Sequence, residues 1–489
     1  MARAVSNTAF ETLRSGAAPG FALGGASVSA SSRAAGWVFQ TILAAAFALF
    51  LWQNLPGHLT VDSVLALREG RLGLRETWHP AIYGWLLGIA DRVTPGAAAL
   101  VVLSGGLVFG SLALLPVLRA RASWWAPVAA LLVVGLPQLA LYPAILWKDV
   151  LFADAALAGF VILAVSLRSG SRRPAIWGLL LSALLIAAGG LLRQNGLIVA
   201  APAALAIAWV CWPRGGRQAI GAALGWLAVV LALSVAINHF ARPEGPGGSD
   251  EAGAKGLRVL QMYDLMGAAK LQPGRSMPRI DQVSRPTGDY IRASAGRLYS
   301  AERVDLMNGD PQYGGASHRV SRSTVHAEWL DMVLGDPGLY ARIRMDVFRQ
   351  VFATPVIDRC LPAHVGVVGP AWALASLGMS ERHDPRDSKL FYYVTWHLDT
   401  PSMSHVAYAI VALILLALLM RRGDPTDVVI AALLAGALAF AASFFVISIA
   451  CDYRYLYFLD MAAITGLLYW ALDPRLSRSL VQKRVVELG

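Results

Sequence analysis

The stretch Pro56–Leu87, PGHLTVDSVLALREGRLGLRETWHPAIYGWLL, decides how the rest of the chain is read. Behind it runs an apolar segment from about Gly36 to Leu55, long enough to cross roughly 30 Å of hydrocarbon as a helix. Asp62 therefore falls close to a bilayer surface. A short amphipathic run follows, then a turn at Trp78, His79 and Pro80, then an aromatic-rich run over Ala81–Val93. Asp91 and Arg92 cut that last run to about a dozen apolar residues, too few to span, so it is expected to lie on the membrane surface. The stretch reads as the floor of a site.

Outward from it, the 489-residue chain is 56% hydrophobic and 15% charged, a composition foreign to a soluble domain of this size. Uniformly apolar runs recur, and helices suit them because every backbone amide in lipid must be bonded internally. About ten spans are expected, near residues 36–55, 95–118, 124–141, 150–167, 175–192, 197–212, 219–240, 405–420, 428–450 and 456–472. The net charge of +11 lies in short clusters between these runs, which excludes a separate nucleic-acid-binding domain. Arg33, Arg119 with Arg121, Arg168 with Arg172 and Arg173, Arg214 with Arg217, Arg421 with Arg422, and Arg475 with Arg478 all fall on one side, which the positive-inside rule makes cytoplasmic. Asp62 then faces outward.

The expected organisation is an all-α polytopic membrane protein with outer-face juxtamembrane helices and one mainly helical periplasmic segment. Residues 1–33 form a disordered cytoplasmic tail, 34–240 a transmembrane module with its first outer loop at 56–93, 241–402 the periplasmic segment, 403–473 the last spans and 474–489 a second cytoplasmic tail. The periplasmic segment carries amphipathic helices near Leu257–Ala269 and Ser323–Phe352, the second interrupted at Asp336-Pro337. Three cysteines exclude a disulfide scaffold, although Cys360 and Cys451 would share the outer compartment and leave one bridge open. No internal repeat is evident, which weakens a transporter reading.

Polar residues gather at the outer ends of the spans in four places: His58, Asp62 and His79; Lys148 and Asp149; Arg193 and Asn195; Asp452, Tyr453 and Arg454. Such residues at a membrane mouth are costly unless paired or functional. Each has a plain alternative. Asp62 would serve as the N-cap of a helix over Ser63–Glu69, Trp78, Tyr83 and Trp85 as an aromatic belt, and Lys148 and Arg193 as snorkelling cations. Taken together they point to a carboxylate that accepts a proton beside fixed positive charge suited to a phosphate leaving group. Tyr263, Asp264, His318 and His364 of the outer segment are further candidates, against surface or core packing.

The wording VDSVLAL…WHPAIYGWLL, with WKDVLFA after the third span, LRQNG between the fifth and sixth, AEWL…DPGLYARIR outside and DYRYLYF at the last span, resembles the GT-C superfamily of polyprenyl-phosphate-sugar-dependent glycosyltransferases. The resemblance implies a GT-C-like fold in a bacterial inner membrane, with the active site on the periplasmic face. It implies Asp62 as the base that activates the acceptor and Asp149 as a second catalytic acid. Lys148, Arg193 and Arg454 would hold the donor phosphate, and His58, Trp78, His79, Tyr83, Asn195, Asp452 and Tyr453 would line the substrate site. The implied partners are a polyprenyl-phosphate-sugar donor, a glycan, lipid or protein acceptor, and membrane lipids, with no nucleic acid. The chain departs from the pattern in lacking an Asp-Asp or Asp-Glu doublet near Asp62, which leaves a divalent cation open. Two other readings stand beside it. One is a transporter or flippase of a lipid-linked or anionic substrate, disfavoured because Asp154 and Asp460 are expected within about one turn of the outer mouth. The other is an O-antigen-type ligase or polymerase, which would depend on an outer-loop Arg/His pair instead of Asp62.

Overall fold

The computed structural model describes residues 29–77, 79–169, 171–242 and 251–476. The linker at 243–250, most of the N-terminal tail and the last thirteen residues lie outside them. Among the described residues the chain is helical without a strand, and nine helices are long and apolar enough to cross a membrane, or ten if one bent pair is a single span. It is a multi-pass membrane protein.

In chain order the main helices are α1 (Ala30–Asn54), α2 (Val61–Leu72), α3 (Ala81–Val93), α4 (Ala98–Leu114), α5 (Trp125–Val133), α6 (Pro137–Ala140), α7 (Lys148–Arg168), α8 (Arg172–Leu192), α9 (Ala200–Cys211) and α10 (Gly216–Ala241). Then come α11 (Glu251–Leu271), α12 (Pro278–Leu298), α13 (Arg322–Gly335), α14 (Pro337–Ala353), α15 (Pro385–Thr395), α16 (His405–Arg422), α17 (Pro425–Ile447) and α18 (Tyr457–Leu472). α1 begins at Ala30, capped by Ser29, whose hydroxyl accepts from the Ser32 amide, so residues 30–33 are helix instead of tail. Its buried stripe of Ala35, Phe39 and Leu43 recurs at helical spacing. Trp37 and Trp52, both exposed, sit fifteen positions apart on it, which separates them by about 22 Å and suits two interfacial belts.

The third expected span is broken. α5 stops at Val133, and the pair Trp125–Val133 and Pro137–Ala144 is bent by 74°. Pro137 has no amide to continue the ladder and pushes Leu136 out of the helical region, so the chain turns there. At the centre of the bundle stand α7 and the span ending in α18: in each, 83% of the apolar window is buried, against 22% in α1 and α10. Polar groups at the ends of these two are consequently held most rigidly.

α2 and α3 form a tight hairpin. Gly70 meets Gly84 and Gly88 backbone to backbone, and a methyl group at Gly70 would overlap the Gly84 carbonyl. Asp91 closes the open end, accepting from Arg71 Nε at 2.8 Å. The chain before α2 is pinned by single bridges, His58 to Ile145, Leu59 to Val367 and Val367 to Arg382.

The segment between α10 and α16 has its own core, built on Met262, Tyr263, Met266, Ile291, Ile343 and Val347. α13 and α14 meet at Asp336, whose carboxylate caps α14 by accepting from the Leu339 amide at 2.9 Å. The polar stretch before them, read from the sequence without secondary structure, folds into α12 and two short helices, Asp305–Asn308 and Pro311–His318. Among the ties that bind this segment to the spans, Arg344 donates to the Ser448 carbonyl at 2.9 Å, the Cys451 amide to the Glu302 carbonyl at 3.1 Å, and Cys360 is disulfide-bonded to Cys451.

Candidate active site

Asp62 is the second residue of α2, and Thr60 takes the N-cap position, so the expected capping role fails and the carboxylate is left to other partners. The helix N-terminus still favours its charge. Its side chain is 35% exposed, more open than Asp452, Arg454, Arg193, His79 or Asp149 around it. Arg454 Nη2 donates to its Oδ2 at 3.0 Å, and His79 Nε2 stands 3.5 Å from Oδ1. Burial pushes the Asp62 carboxyl up, but the His79 hydrogen bond and the charges of Arg454 and Lys148 outweigh it and hold the group well below the usual carboxylate range.

His79 is buried beneath Asp62. Lys148 Nζ lies 2.9 Å from its Nδ1, and an ammonium only donates, so Nδ1 accepts and the ring proton sits on Nε2, facing the carboxylate. Burial first, and the Lys148 charge second, push the imidazole down, which keeps it neutral near pH 7. The turn that delivers His79 is fastened by Glu69, seven residues beyond Asp62 on the same helix: its Oε1 accepts from the Glu76 amide at 2.6 Å and also from the Thr77 amide.

Arg454 is the hub. Beyond Asp62, its Nη2 reaches Asp452 at 2.8 Å and its Nε reaches Asp149 at 3.6 Å, while its guanidinium lies 4.9 Å from the Trp147 ring centre. Asp149 also pairs with Arg193 at 2.5 Å, and Arg193 borders the stacked Phe444 and Tyr455 rings, 5.2 and 5.1 Å from their centres. Burial raises the Asp452 carboxyl despite Arg454. The site is thus three carboxylates and three cations, brought together from α2, the turn before α3, the start of α7, the end of α8 and the turn before α18.

Of the residues expected here, Asp62, His79, Lys148, Asp149, Arg193, Asp452 and Arg454 converge. Asp149 faces two guanidinium groups with a nearly fully buried carboxylate, a placement that orients Arg193 and Arg454 instead of meeting a substrate. Lys148 is buried against His79. Asn195 turns aside, donating to Ser443 Oγ at 2.6 Å. Three expectations are corrected by burial. His58 is fully enclosed, accepting from the Gly366 amide at 2.9 Å and facing Asn54 at 3.2 Å. Tyr83 is enclosed and donates to Ser63 Oγ at 3.1 Å and to the Leu146 carbonyl at 2.5 Å. Tyr453 points into the bundle, donating to Asp460 at 2.7 Å. Trp78 lies outside the described residues.

In the outer segment, Tyr263 and Asp264 belong to its core, Asp264 being paired with the buried Arg344, and His318 is on the surface. His364 lies close by, at 3.0 Å from the Leu59 carbonyl. Sequence reasoning missed Glu69, Trp147 and Tyr455. For Glu69 the seven-residue spacing from Asp62 was a usable signal; Trp147 and Tyr455 carry no such spacing.

Asp154 and Asp460 lie deeper than expected, at the seventh residue of α7 and the eighth of the Tyr453–Leu472 span. Both are enclosed by internal partners: Ser104 donates to Asp154, and His405 Nδ1 stands 2.9 Å from Asp460. Among the described residues no three of His, Cys, Asp and Glu are grouped to hold a metal ion. The three carboxylates of the site share the Arg454 guanidinium instead. No protein-family model, curated protein or solved structure matches the chain.

Proposed function

We propose that the chain is a glycosyltransferase of the bacterial inner membrane, GT-C-like, that moves a sugar from a polyprenyl-phosphate carrier to an envelope glycan, lipid or protein acceptor on the periplasmic face. The observation that carries this reading is the pairing of one half-open carboxylate, Asp62, with the fixed guanidinium of Arg454 at the mouth of the most buried spans. A lipid phosphate arriving from the bilayer competes with Asp62 for Arg454 Nη2. The His79 hydrogen bond and the Arg454 charge hold the Asp62 carboxyl down, and a phosphate that shares the guanidinium weakens the second, making Asp62 a stronger base.

The step is a single displacement. Asp62 takes the proton of the acceptor hydroxyl, the acceptor oxygen bonds to the sugar C1, and the C1–O bond to phosphate breaks on the opposite face, giving inversion. The bonding pair leaves with the polyprenyl phosphate, whose charge Arg454 and Arg193 stabilise. Asp149 and Asp452 position Arg454, and neutral His79, with its tautomer set by Lys148, orients the Asp62 carboxylate through Nε2–H.

Native mass spectrometry of the Asp62→Asn protein, purified gently from its own membranes, tests this directly. Retention of a polyprenyl-phosphate monosaccharide is the expected result. A polyprenyl-diphosphate oligosaccharide would move the assignment to a ligase or polymerase, and phospholipid alone would restore the transporter.

A further inference from the structure

α15 lies near the end of the segment that the sequence places outside the membrane, yet three observations hold it against the span helices. The Tyr393 hydroxyl is 4.0 Å from where a Cβ on Gly135 would stand, and Gly135 lies in the break of the bent pair of span helices. Leu390 and Val394 are buried in the core that the spans share, together with Met403, and Leu398 packs against it. The chain that follows is also held down, because Gln138 Nε2 donates to the Ser402 carbonyl at 2.6 Å, three residues before α16 begins at His405.

Among the described residues, the opposite face of α15 is exposed. Asp387, Leu390 and Val394 face inward at helical spacing, while Lys389, Tyr392 and Trp396 follow the same spacing outward. Trp396 is 87% exposed, Tyr392 76% and Phe391 45%. Trp and Tyr on one face, with Lys389 and Arg386 a turn nearer the N-terminus, form the composition of an interfacial helix, aromatics among headgroups and cations reaching for phosphate.

We propose that α15 and the turn to Ser404 lie in the interfacial layer of the leaflet on the Asp62 side, with Phe391, Tyr392 and Trp396 embedded in lipid. The inner face of the same helix reaches the chain just before α2: Asp387 stands 3.7 Å from His58 Nδ1 and 3.6 Å from Arg382 Nε, and Arg382 donates to the Gly57 carbonyl at 2.8 Å. Lipid contact on one face therefore fixes the height of the extended stretch that leads into Asp62. This inference does not depend on the chemistry proposed above.

The test is nitroxide labelling at Trp396→Cys or Tyr392→Cys, in a background of Cys211→Ser, with the whole protein in phosphatidylethanolamine and phosphatidylglycerol liposomes. The reference site is Val283→Cys on α12, exposed on an element that packs against other helices of the outer segment. Power saturation reads access to oxygen and to a water-soluble nickel chelate. At 392 and 396 the oxygen-to-nickel ratio should exceed that at 283 several-fold. Nickel access equal to that at 283 at both positions would show that the face is in water and overturn the proposal. The same labels in detergent-free lipid of either headgroup charge should keep their depth, since the aromatics, not the cations, supply most of the burial.

Discussion

Two clusters of arginine and aspartate close the two ends of the bundle, and they are built to different standards. At the basic end, Asp427 is fully buried and saturated. Arg422 donates to its two oxygens at 2.6 and 2.7 Å, Tyr469 donates at 2.7 Å and Arg119 at 3.1 Å. At the other end, Asp62 is 35% exposed with one guanidinium at 3.0 Å and one imidazole at 3.5 Å, and that guanidinium is divided among three carboxylates. The residue types are the same; the degree of closure differs. A closed cluster has no bond left to offer and holds helices together, whereas an open one keeps a valence for something that arrives.

That contrast can be broken by experiment. The largest effect is expected from Asp62→Asn, which should reduce sugar transfer by about 100- to 10,000-fold, the span of general-base catalysis, in a protein that still folds. A variant with full transfer would remove Asp62 from the chemistry. Asp427→Ala should do the reverse, destabilising by about 3–5 kcal/mol because the buried Arg422 guanidinium loses its counter-charge, while Arg119 keeps Asp473. Its transfer rate per folded molecule should be unchanged, and thermal unfolding beside an activity assay separates the two.

Arg193→Ala sharpens the comparison within the open cluster. Losing a charged hydrogen-bond donor, worth about 1.5–3 kcal/mol, should weaken capture of the donor lipid by roughly 10- to 100-fold. Unaltered affinity in a lipid titration would show that Arg193 only braces Asp149.

The smallest effect concerns His58, beside the open site but closed itself. Burial, with Arg382 next, pushes its pKa from 6.5 down to about 3. The unfolded chain binds a proton below pH 6.5 that the folded chain refuses until about pH 3, so stability falls as pH drops through that window. Near pH 5 the loss should be about 2 kcal/mol relative to neutral pH. His58→Gln should flatten that slope in unfolding curves, and an unchanged slope would assign the acid sensitivity elsewhere.

Much of this was legible in the chain. Apolar length located the spans, the Asp91-Arg92 interruption marked α3 as too short to cross, and Asp336-Pro337 split the long outer helix. Seven of the proposed site residues do meet, because basic and acidic groups at one end of adjacent spans have few other places to pair. What stayed hidden depended on rotation and depth. Tyr453 and Arg454 are neighbours in sequence, yet one faces the bundle and the other the site, a choice made by a single turn of 3-10 helix. His58 and Tyr83 have the chemistry of ligands, and only packing shows them enclosed. The break before Pro137 was written in the sequence, but the apolar run around it hid the turn.

The glycine contact between α2 and α3 bears on how the site tolerates change. Asp62 rides on one arm of that hairpin and His79 on the link between the arms, and the arms touch through peptide planes at Gly70, Gly84 and Gly88. Side-chain interfaces drift as their members are exchanged for others of similar bulk, but a spacing set by main chain has no such slack. The separation of the carboxylate and its imidazole neighbour is a machined dimension, indifferent to repacking elsewhere and intolerant of a single added carbon at the joint.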